Sequence, residues 1–156
     1  MEHKTIDRFR GCLYGQAIGD ALGLGTEFMT DEDIAWKYPH GLQHYKQIYQ
    51  DRHRKRWEIG DWTDDTDMML CIADEVIEDK GVNFYNIARH FKDWVNGFPM
   101  GIGENTFKVL TIGVRYILVY FSQVISTIPT LMFLDQTVSS FMEVSASLRM
   151  SMHLQR

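Results

Sequence analysis

The stretch GDWTDDTDMML, residues 60–70, marks the start of a helix and carries more acid than a helix start needs. One capping Asp or Thr suffices at that position, and acids in the first turn gain roughly a few tenths of a kcal/mol from the helix dipole. Thr63, Asp64 or Asp65 can act as the cap. Asp67 then complements the dipole. Capping and dipole alone therefore give one interpretation of the stretch.

A metal site is the other interpretation. Asp64 and Asp65 are adjacent, and their charges repel each other unless a cation lies between them. The hydroxyl of Thr63 and two carboxylates are the oxygen ligands that Mg²⁺, Mn²⁺ and Ca²⁺ prefer. The residues by themselves leave the choice between capping and metal binding open.

Helical patterns extend outward from this stretch on both sides. The helix that begins near Asp64 is predicted to end at Lys80–Gly81, because its apolar residues recur at intervals of three and four. A second pattern runs from about Ile6 to Leu22, with Thr5 as its N-cap. The third follows Asn83 and ends at Gly97. The fourth starts near Asn105 or Thr106.

The long segment between the first two helices, residues 24–62, is expected to contain short helices or functional loops. Its basic run, residues 52–56, is predicted to be a solvated loop. An unrelated metal-dependent phosphoester hydrolase would need histidine ligands. His40, His44 and His53 cluster only loosely here and are predicted to be solvated.

Bulk composition sets the broad class. A chain of 156 residues with 45% hydrophobic residues suits one globular domain, and a net charge of −5 argues against a nucleic-acid partner. Cys12 and Cys71 match no metal or redox spacing, so they are predicted to be buried free thiols in a reducing cytoplasm. The N-terminus has no apolar signal segment.

The stretch GCLYGQAIGDALGLGTE, residues 11–27, places glycines at every fourth position from Gly11 to Gly23. Tight packing against another helix is expected to explain Gly11 and Gly15. Asp20 lies on an otherwise small, apolar helix end, where a carboxylate must be exposed, hydrogen-bonded or bound to something. Glu27 lies just past the helix end, where loops often carry chemistry. Taken alone, either acid is more often structural.

Together, GCLYGQAIGDALGLGTE and GDWTDDTDMML resemble the paired N-terminal motifs of the ADP-ribosylglycohydrolase family, which includes the dinitrogenase-reductase-activating glycohydrolase. GIGENTFKVL, residues 101–110, resembles a third, weaker segment. The resemblance covers about residues 8–113, roughly the first half of a family domain. It implies an all-α fold with a binuclear Mg²⁺ or Mn²⁺ site in a central cleft. The implied reaction is hydrolysis of the glycosidic bond between ADP-ribose and a protein side chain or another acceptor.

The resemblance also implies roles for individual residues. Thr63, Asp64 and Asp65 would bind the metal, and Asp65 would also be catalytic. Glu27 would be the catalytic carboxylate near the scissile bond. The implied substrate-binding residues are Asp20, Gly103 and Asn105. The implied partners are an ADP-ribosylated protein or a small ADP-ribose derivative.

Residues 114–156 form an atypical tail of uncertain fold. All 12 glycines lie at or before Gly113, whereas serine first occurs at Ser122. The tail also lacks the second acidic motif of the family, Gly-Asp-x-Asp-Thr. We therefore expect residues 1–113 to be the N-terminal half of a truncated domain with impaired activity, followed by a tail produced by a reading-frame change. A non-catalytic helical protein that binds nucleotide or a partner is the alternative.

Two further expectations concern the surface of the protein. The segment from Tyr116 to Leu134 contains no charge, yet Gln123 and Pro129 argue against a membrane helix. If the tail replaces helices that should cover the first four, apolar faces remain exposed. A homo-oligomer formed through those faces is then expected.

Overall fold

The computed structural model describes residues 2–112, and this part of the chain is entirely helical, with no strand. Five α-helices follow in order: α1 Glu2–Gly23, α2 Asp31–Lys37, α3 Asp64–Glu78, α4 Phe84–Asn96 and α5 Glu104–Ile112. Short 3-10 turns lie at Tyr45–Gln47 and Arg54–Arg56. The prediction of an all-α fold is confirmed. The predicted division at residue 113, the tail and its uncharged segment lie outside the described residues.

Helix α4 begins and ends where its capping residues predict, whereas α3 ends at Glu78, two residues before the predicted Lys80–Gly81. The side chain of Asn83 accepts hydrogen bonds from the backbone N–H groups of Tyr85 and Asn86, which would otherwise lack partners at the start of α4. Gly97 follows its last turn as the C-cap. Helix α1 differs from the prediction, because it begins at Glu2 and Thr5 therefore lies inside it.

Helix α3 is the centre of the described fold, since it packs against α1 on one side and α4 on the other. Leu13, Ala17 and Leu70 form the α1–α3 contact. Phe91 on α4 is 1% exposed and lies in the larger apolar cluster, which α5 joins through Leu110. Burying such a side chain contributes about 1.5–3 kcal/mol to folding. These contacts fix the start of α3 beside the end of α1.

Within residues 2–112, the glycine strip of α1 has no packing partner of the predicted kind. A Cβ atom added at Gly11, Gly15, Gly19 or Gly23 would meet nothing within 4 Å among the described residues. The reason is that α1 uses the face of Leu13 and Ala17 to contact α3. Cys12 is exposed rather than buried, and Cys71 is half-buried.

The segment between α1 and α3 contains short helices, as expected, and folds back onto the end of α1. The Tyr38 hydroxyl donates to the Gly25 carbonyl at 2.9 Å and accepts from the Tyr49 N–H at 3.0 Å. Gly25 has no room for a side chain, because an added Cβ would lie 2.4 Å from a Leu42 methyl carbon. None of the helices in residues 2–112 is long and apolar enough to cross a membrane.

Candidate active site

A cleft of about 470 Å³ lies between the end of α1 and the start of α3. This volume is within the usual range of small-molecule sites. The cleft brings together five of the predicted site residues from two separate motifs: Asp20, Glu27, Thr63, Asp64 and Asp65. Glycines of α1 form part of its wall, and their open Cβ positions leave the space unfilled.

Asp20 ties the two sides of the cleft together. Its carboxylate accepts hydrogen bonds from the backbone N–H groups of Thr63 and Thr66, both at 3.0 Å, and from both threonine hydroxyls. Thr63 occupies the N-cap position of α3, yet its own side chain makes no capping bond. Asp20 therefore performs the capping from another helix. A substrate contact by Asp20 stays a prediction.

Asp64 links the start of α3 to the segment before α5. Its Oδ2 accepts from the Gly103 N–H at 3.3 Å. Burial raises the pKa of Asp64, and the neighbouring charges of Asp65 and Asp20 raise it further, against the opposing hydrogen bond from Gly103. The start of α3 thus concentrates negative charge at the cleft. Asp65 is exposed there.

The backbone at Gly101 explains how Gly103 reaches Asp64. Gly101 has φ +94°, a left-handed conformation that favours glycine, and an added Cβ would lie 3.0 Å from the Trp57 ring. Gly103 thereby contacts Asp64 through its N–H, but Gly103 is not among the residues that line the cleft. Asn105 is the second residue of α5 and is exposed, and it is not among the residues that line the cleft.

Asp67 lies in the first turn of α3, as predicted, and does more than complement the dipole. Its two carboxylate oxygens accept the indole N–H of Trp62 at 3.0 Å and that of Trp94 at 3.1 Å. Trp62 precedes α3 and Trp94 lies on α4. Asp67 therefore joins Trp62, which packs on the α1–α3 contact, to Trp94, which packs on the larger apolar cluster.

Glu27 is held by a histidine that the sequence did not reveal. His53 Nε2 lies 2.8 Å from Glu27 Oε2, and His53 Nδ1 lies 2.6 Å from an Arg56 guanidinium nitrogen. A guanidinium only donates hydrogen bonds, so Nδ1 must accept and the ring proton resides on Nε2. His53 therefore donates to the carboxylate of Glu27. The prediction that His53 is solvated is wrong.

The basic run, residues 52–56, is likewise not a plain solvated loop. Arg54 is 3% exposed. Its guanidinium donates to the carbonyls of Leu24, Gly25 and Glu27 and to the Asp51 carboxylate. These carbonyls lie beyond the end of α1, where backbone acceptors lack intrahelical partners. His40 and His44 are exposed, as predicted.

The donor set of the cleft fits a hard divalent cation. The Thr63 hydroxyl donates its proton to Asp20, which leaves the lone pairs of that oxygen free to bind a metal. Asp64 and Asp65 add carboxylates from adjacent positions in the same cleft wall. An all-oxygen set of this kind is typical of Mg²⁺ and Mn²⁺ sites.

A second polar cluster lies at the other end of α3 and was not predicted. Among the described residues, the one group of three acidic or histidine side chains close enough to share a metal ion is Glu75, Glu78 and His90. Burial raises the pKa of Glu75, and the nearby carboxylate of Asp79 raises it further. The cluster is separate from the residues that line the cleft.

Comparison with known sequences supports the resemblance. The sequence profile of the ADP-ribosylglycohydrolase family matches residues 1–122. The chain is 32% identical over 114 residues to an ADP-ribosylarginine hydrolase of Pseudomonas putida, which covers 69% of this chain and 28% of that protein. It is 33% identical over 105 residues to an ADP-ribosyl-[dinitrogen reductase] glycohydrolase of Rhodospirillum rubrum, covering 63% of this chain and 32% of that protein.

An animal relative is similar to the same extent. The chain is 29% identical over 106 residues to an ADP-ribosylhydrolase of Danio rerio, which covers 67% of this chain and 27% of that protein. The chain thus spans less than a third of the length of each of these three relatives.

Proposed function

Because the chain belongs to the ADP-ribosylglycohydrolase family, we propose that its cleft serves the metal-dependent hydrolysis of the glycosidic bond between ADP-ribose and an acceptor. The observation that supports this proposal most is the convergence of two distant motifs on one cleft. Asp20 lies near the end of α1 and Glu27 lies just beyond that helix, whereas Asp65 lies at the start of α3. The hydrogen bonds that join α1 to α3 involve Asp20, and they leave Glu27 and Asp65 without a role in that contact.

Thr63, Asp64 and Asp65 would hold the Mg²⁺ or Mn²⁺. The hydrogen bonds from Thr63 and Thr66 to Asp20 keep this ligand set in a fixed position. When bound, the ions would coordinate ribose hydroxyls and lower the pKa of a bound water molecule. Asp20 is then a positioning residue in our proposal, because it acts through Thr63 and the backbone of α3.

Glu27 would act on the water that attacks the anomeric carbon. In the reaction, the water oxygen bonds to that carbon while the bond to the acceptor breaks with its electron pair. The acceptor takes up a proton, and the carboxylate of Glu27 accepts one from the attacking water. His53 donates to Oε2, which leaves Oε1 for the water. Positive charge that develops on the sugar is stabilised by the surrounding carboxylates.

Two relatives carry names that specify their substrates, an ADP-ribosylated arginine and an ADP-ribosylated dinitrogen reductase. We propose the same class for this chain, either an ADP-ribosylated protein or a small ADP-ribose derivative. ADP-ribosylarginine is the suitable first substrate to test. We propose a cytoplasmic location, because that compartment is reducing, keeps the cysteines as free thiols and would contain such substrates.

We propose further that turnover by this chain alone is low. One magnesium ion requires about six oxygen ligands, and a pair requires more. Thr63, Asp64 and Asp65 supply only part of that set. Residues 114–156 contain just two acids, Asp135 and Glu143, and neither has the spacing of the second family motif. Water molecules would have to fill the other positions.

Calorimetric titration with Mn²⁺ and ADP-ribose tests the proposal. We expect ADP-ribose to bind only in the presence of Mn²⁺, and Asp65→Asn to weaken this binding at least tenfold. Asp65 is exposed, so its substitution should leave the fold intact. Asp93→Asn, at an exposed position of α4 outside the cleft, is the control that should bind normally.

A negative titration would have a definite meaning. If the folded wild-type chain bound neither Mn²⁺ nor ADP-ribose, the non-catalytic alternative would replace our proposal. Release of ADP-ribose from ADP-ribosylarginine, followed with and without a chelator, measures turnover separately. Ordinary enzyme rates from this chain alone would contradict the expected low turnover.

A further inference from the structure

The acidic cluster at the far end of α3 joins two helices. Glu75 and Glu78 lie one turn apart on α3, and His90 lies on α4. His90 Nε2 is 3.2 Å from Glu75 Oε2 and 3.3 Å from Glu78 Oε2. Neither contact has hydrogen-bond geometry, since His90 Nε2 lacks a hydrogen-bond partner despite its two close oxygens.

Glu75 is the member that requires an explanation. It is 0% exposed, and within residues 2–112 no hydrogen-bond partner is found for either of its carboxylate oxygens. A buried carboxylate without donors is costly, and such groups are rare in folded proteins unless a charge compensates them. The neighbouring Asp79 is itself acidic and accepts the side-chain amides of Asn83 and Asn86, and its closeness raises the pKa of Glu75 further.

Glu75 and Glu78 lie near the end of α3, and this position increases their need for a nearby positive charge. The last turn of α3 contains no basic residue. Its carbonyl end carries the negative pole of the helix dipole, which disfavours Glu75 and Glu78 and favours a cation. His90 is the basic side chain that the structure brings to these two acids.

We propose that Glu75, Glu78 and His90 bind a divalent transition-metal ion of the zinc class, which links α3 to α4. The ligand types are suitable, since zinc combines imidazole nitrogen with carboxylate oxygen. The spacing is also suitable: ligands about 2.0 Å from a tetrahedral ion lie about 3.3 Å from one another. The observed separations of 3.2 and 3.3 Å agree with such an edge.

The exposures of the three side chains show how the ion would enter. Glu75 is fully enclosed, whereas His90 is 20% and Glu78 57% exposed in their side chains. The ion would therefore approach from the solvent side and neutralise Glu75 from there. Three protein ligands leave a fourth position for water. This site shares no residue with the cleft, so its presence does not depend on the proposed hydrolysis.

A proton is the competing occupant. A charged imidazolium at His90, or a neutral carboxyl at Glu75, would also reduce the repulsion between the acids. Such an arrangement has no specific affinity for zinc. Metal binding by the folded chain therefore separates the two explanations.

The test is a zinc titration of the full chain carrying Asp65→Asn, which disables the cleft. We expect one equivalent of Zn²⁺ to bind and the melting temperature to rise. Adding either Glu75→Gln or His90→Asn should weaken the binding at least tenfold. Glu58→Gln and His40→Asn make the same substitutions at exposed positions and should leave it unchanged. Circular dichroism verifies that each variant is folded.

Spectra of the imidazole nitrogens supply a readout that does not depend on the variants folding. The wild-type chain has six histidines. Zinc at the proposed site should shift the ring-nitrogen resonance of His90 as the ion is titrated to one equivalent. The proposal is overturned if the folded Asp65→Asn chain binds no zinc, if Glu75→Gln binds as tightly as its parent, or if the His90 resonance does not move.

Discussion

Both ends of α3 carry acidic side chains, and the two ends differ in whether those side chains meet hydrogen-bond donors. At the start of α3 the acids meet donors: Asp67 accepts two indole N–H groups, and Asp20 of the adjoining α1 accepts four hydrogen bonds. At the far end, Glu75 is more deeply buried and accepts none. Similar side chains on one helix therefore face different electrostatic conditions.

The difference teaches that acid content alone does not identify a site. Donors at the cleft fix the carboxylates in place, as a preorganised ligand set requires. The helix dipole favours the acids at the start of α3 and disfavours those at its end. The start of α3 therefore has hydrogen-bond donors for its acids, whereas we expect the cluster of Glu75, Glu78 and His90 to be stabilised by added positive charge.

The largest expected effect comes from Asp20→Ala. This change leaves the N–H and hydroxyl groups of Thr63 and Thr66 without their acceptor, and Thr66 is 0% exposed. Hydrogen bonds to a charged group contribute about 1.5–3 kcal/mol each, and they are not additive. We expect a loss of about 3 kcal/mol in the free energy of unfolding, measured by urea denaturation.

The matched control for Asp20→Ala is Asp93→Ala at an exposed position of α4. That change should alter the unfolding free energy by less than about 0.5 kcal/mol. An Asp20→Ala protein as stable as this control would show that donors do not hold the start of α3. The contrast between the two ends of the helix would then be lost.

The next effect has the opposite sign. In the presence of a chelator, Glu75→Gln should raise the unfolding free energy by about 1 kcal/mol, because it removes a buried charge without donors. Glu78→Gln, at a side chain that is 57% exposed, should have little effect. A chelated Glu75→Gln protein that is less stable than the Glu78→Gln protein would mean that the carboxylate has a compensating partner.

Local patterns predicted the helices well, since the information lies in neighbouring residues. Asn83 and Gly97 bound α4, and the start of α3 follows from its acidic first turn. The cleft residues came from the resemblance, and the structure brings Glu27 and Asp65 together in its lining. Their chemical roles stay predictions.

Tertiary contacts explain what the sequence did not reveal. Arg54 lies in a charged run that looks solvated, yet it is buried because carbonyls beyond the end of α1 need donors. These carbonyls lie outside α1, whose own last carbonyls accept from the N–H groups of the following turn. No local pattern could show that Arg54 folds back to meet them or that His53 meets the Glu27 carboxylate.

The smallest expected effect concerns Asp51, the acid that holds Arg54 beneath the cleft. Burial tends to raise the pKa of Asp51, but hydrogen bonds from Arg54 and His53 outweigh burial and lower it below 3.8. An acid with a lowered pKa stabilises the folded state above its unfolded pKa, and this contribution disappears as the pH falls through the folded value. Asp51→Asn should therefore cost about 1 kcal/mol at pH 7 and less below about pH 4. Urea unfolding of both proteins between pH 7 and pH 3 measures this, and a difference that stays constant with pH would show that Asp51 stabilises the cleft without its charge.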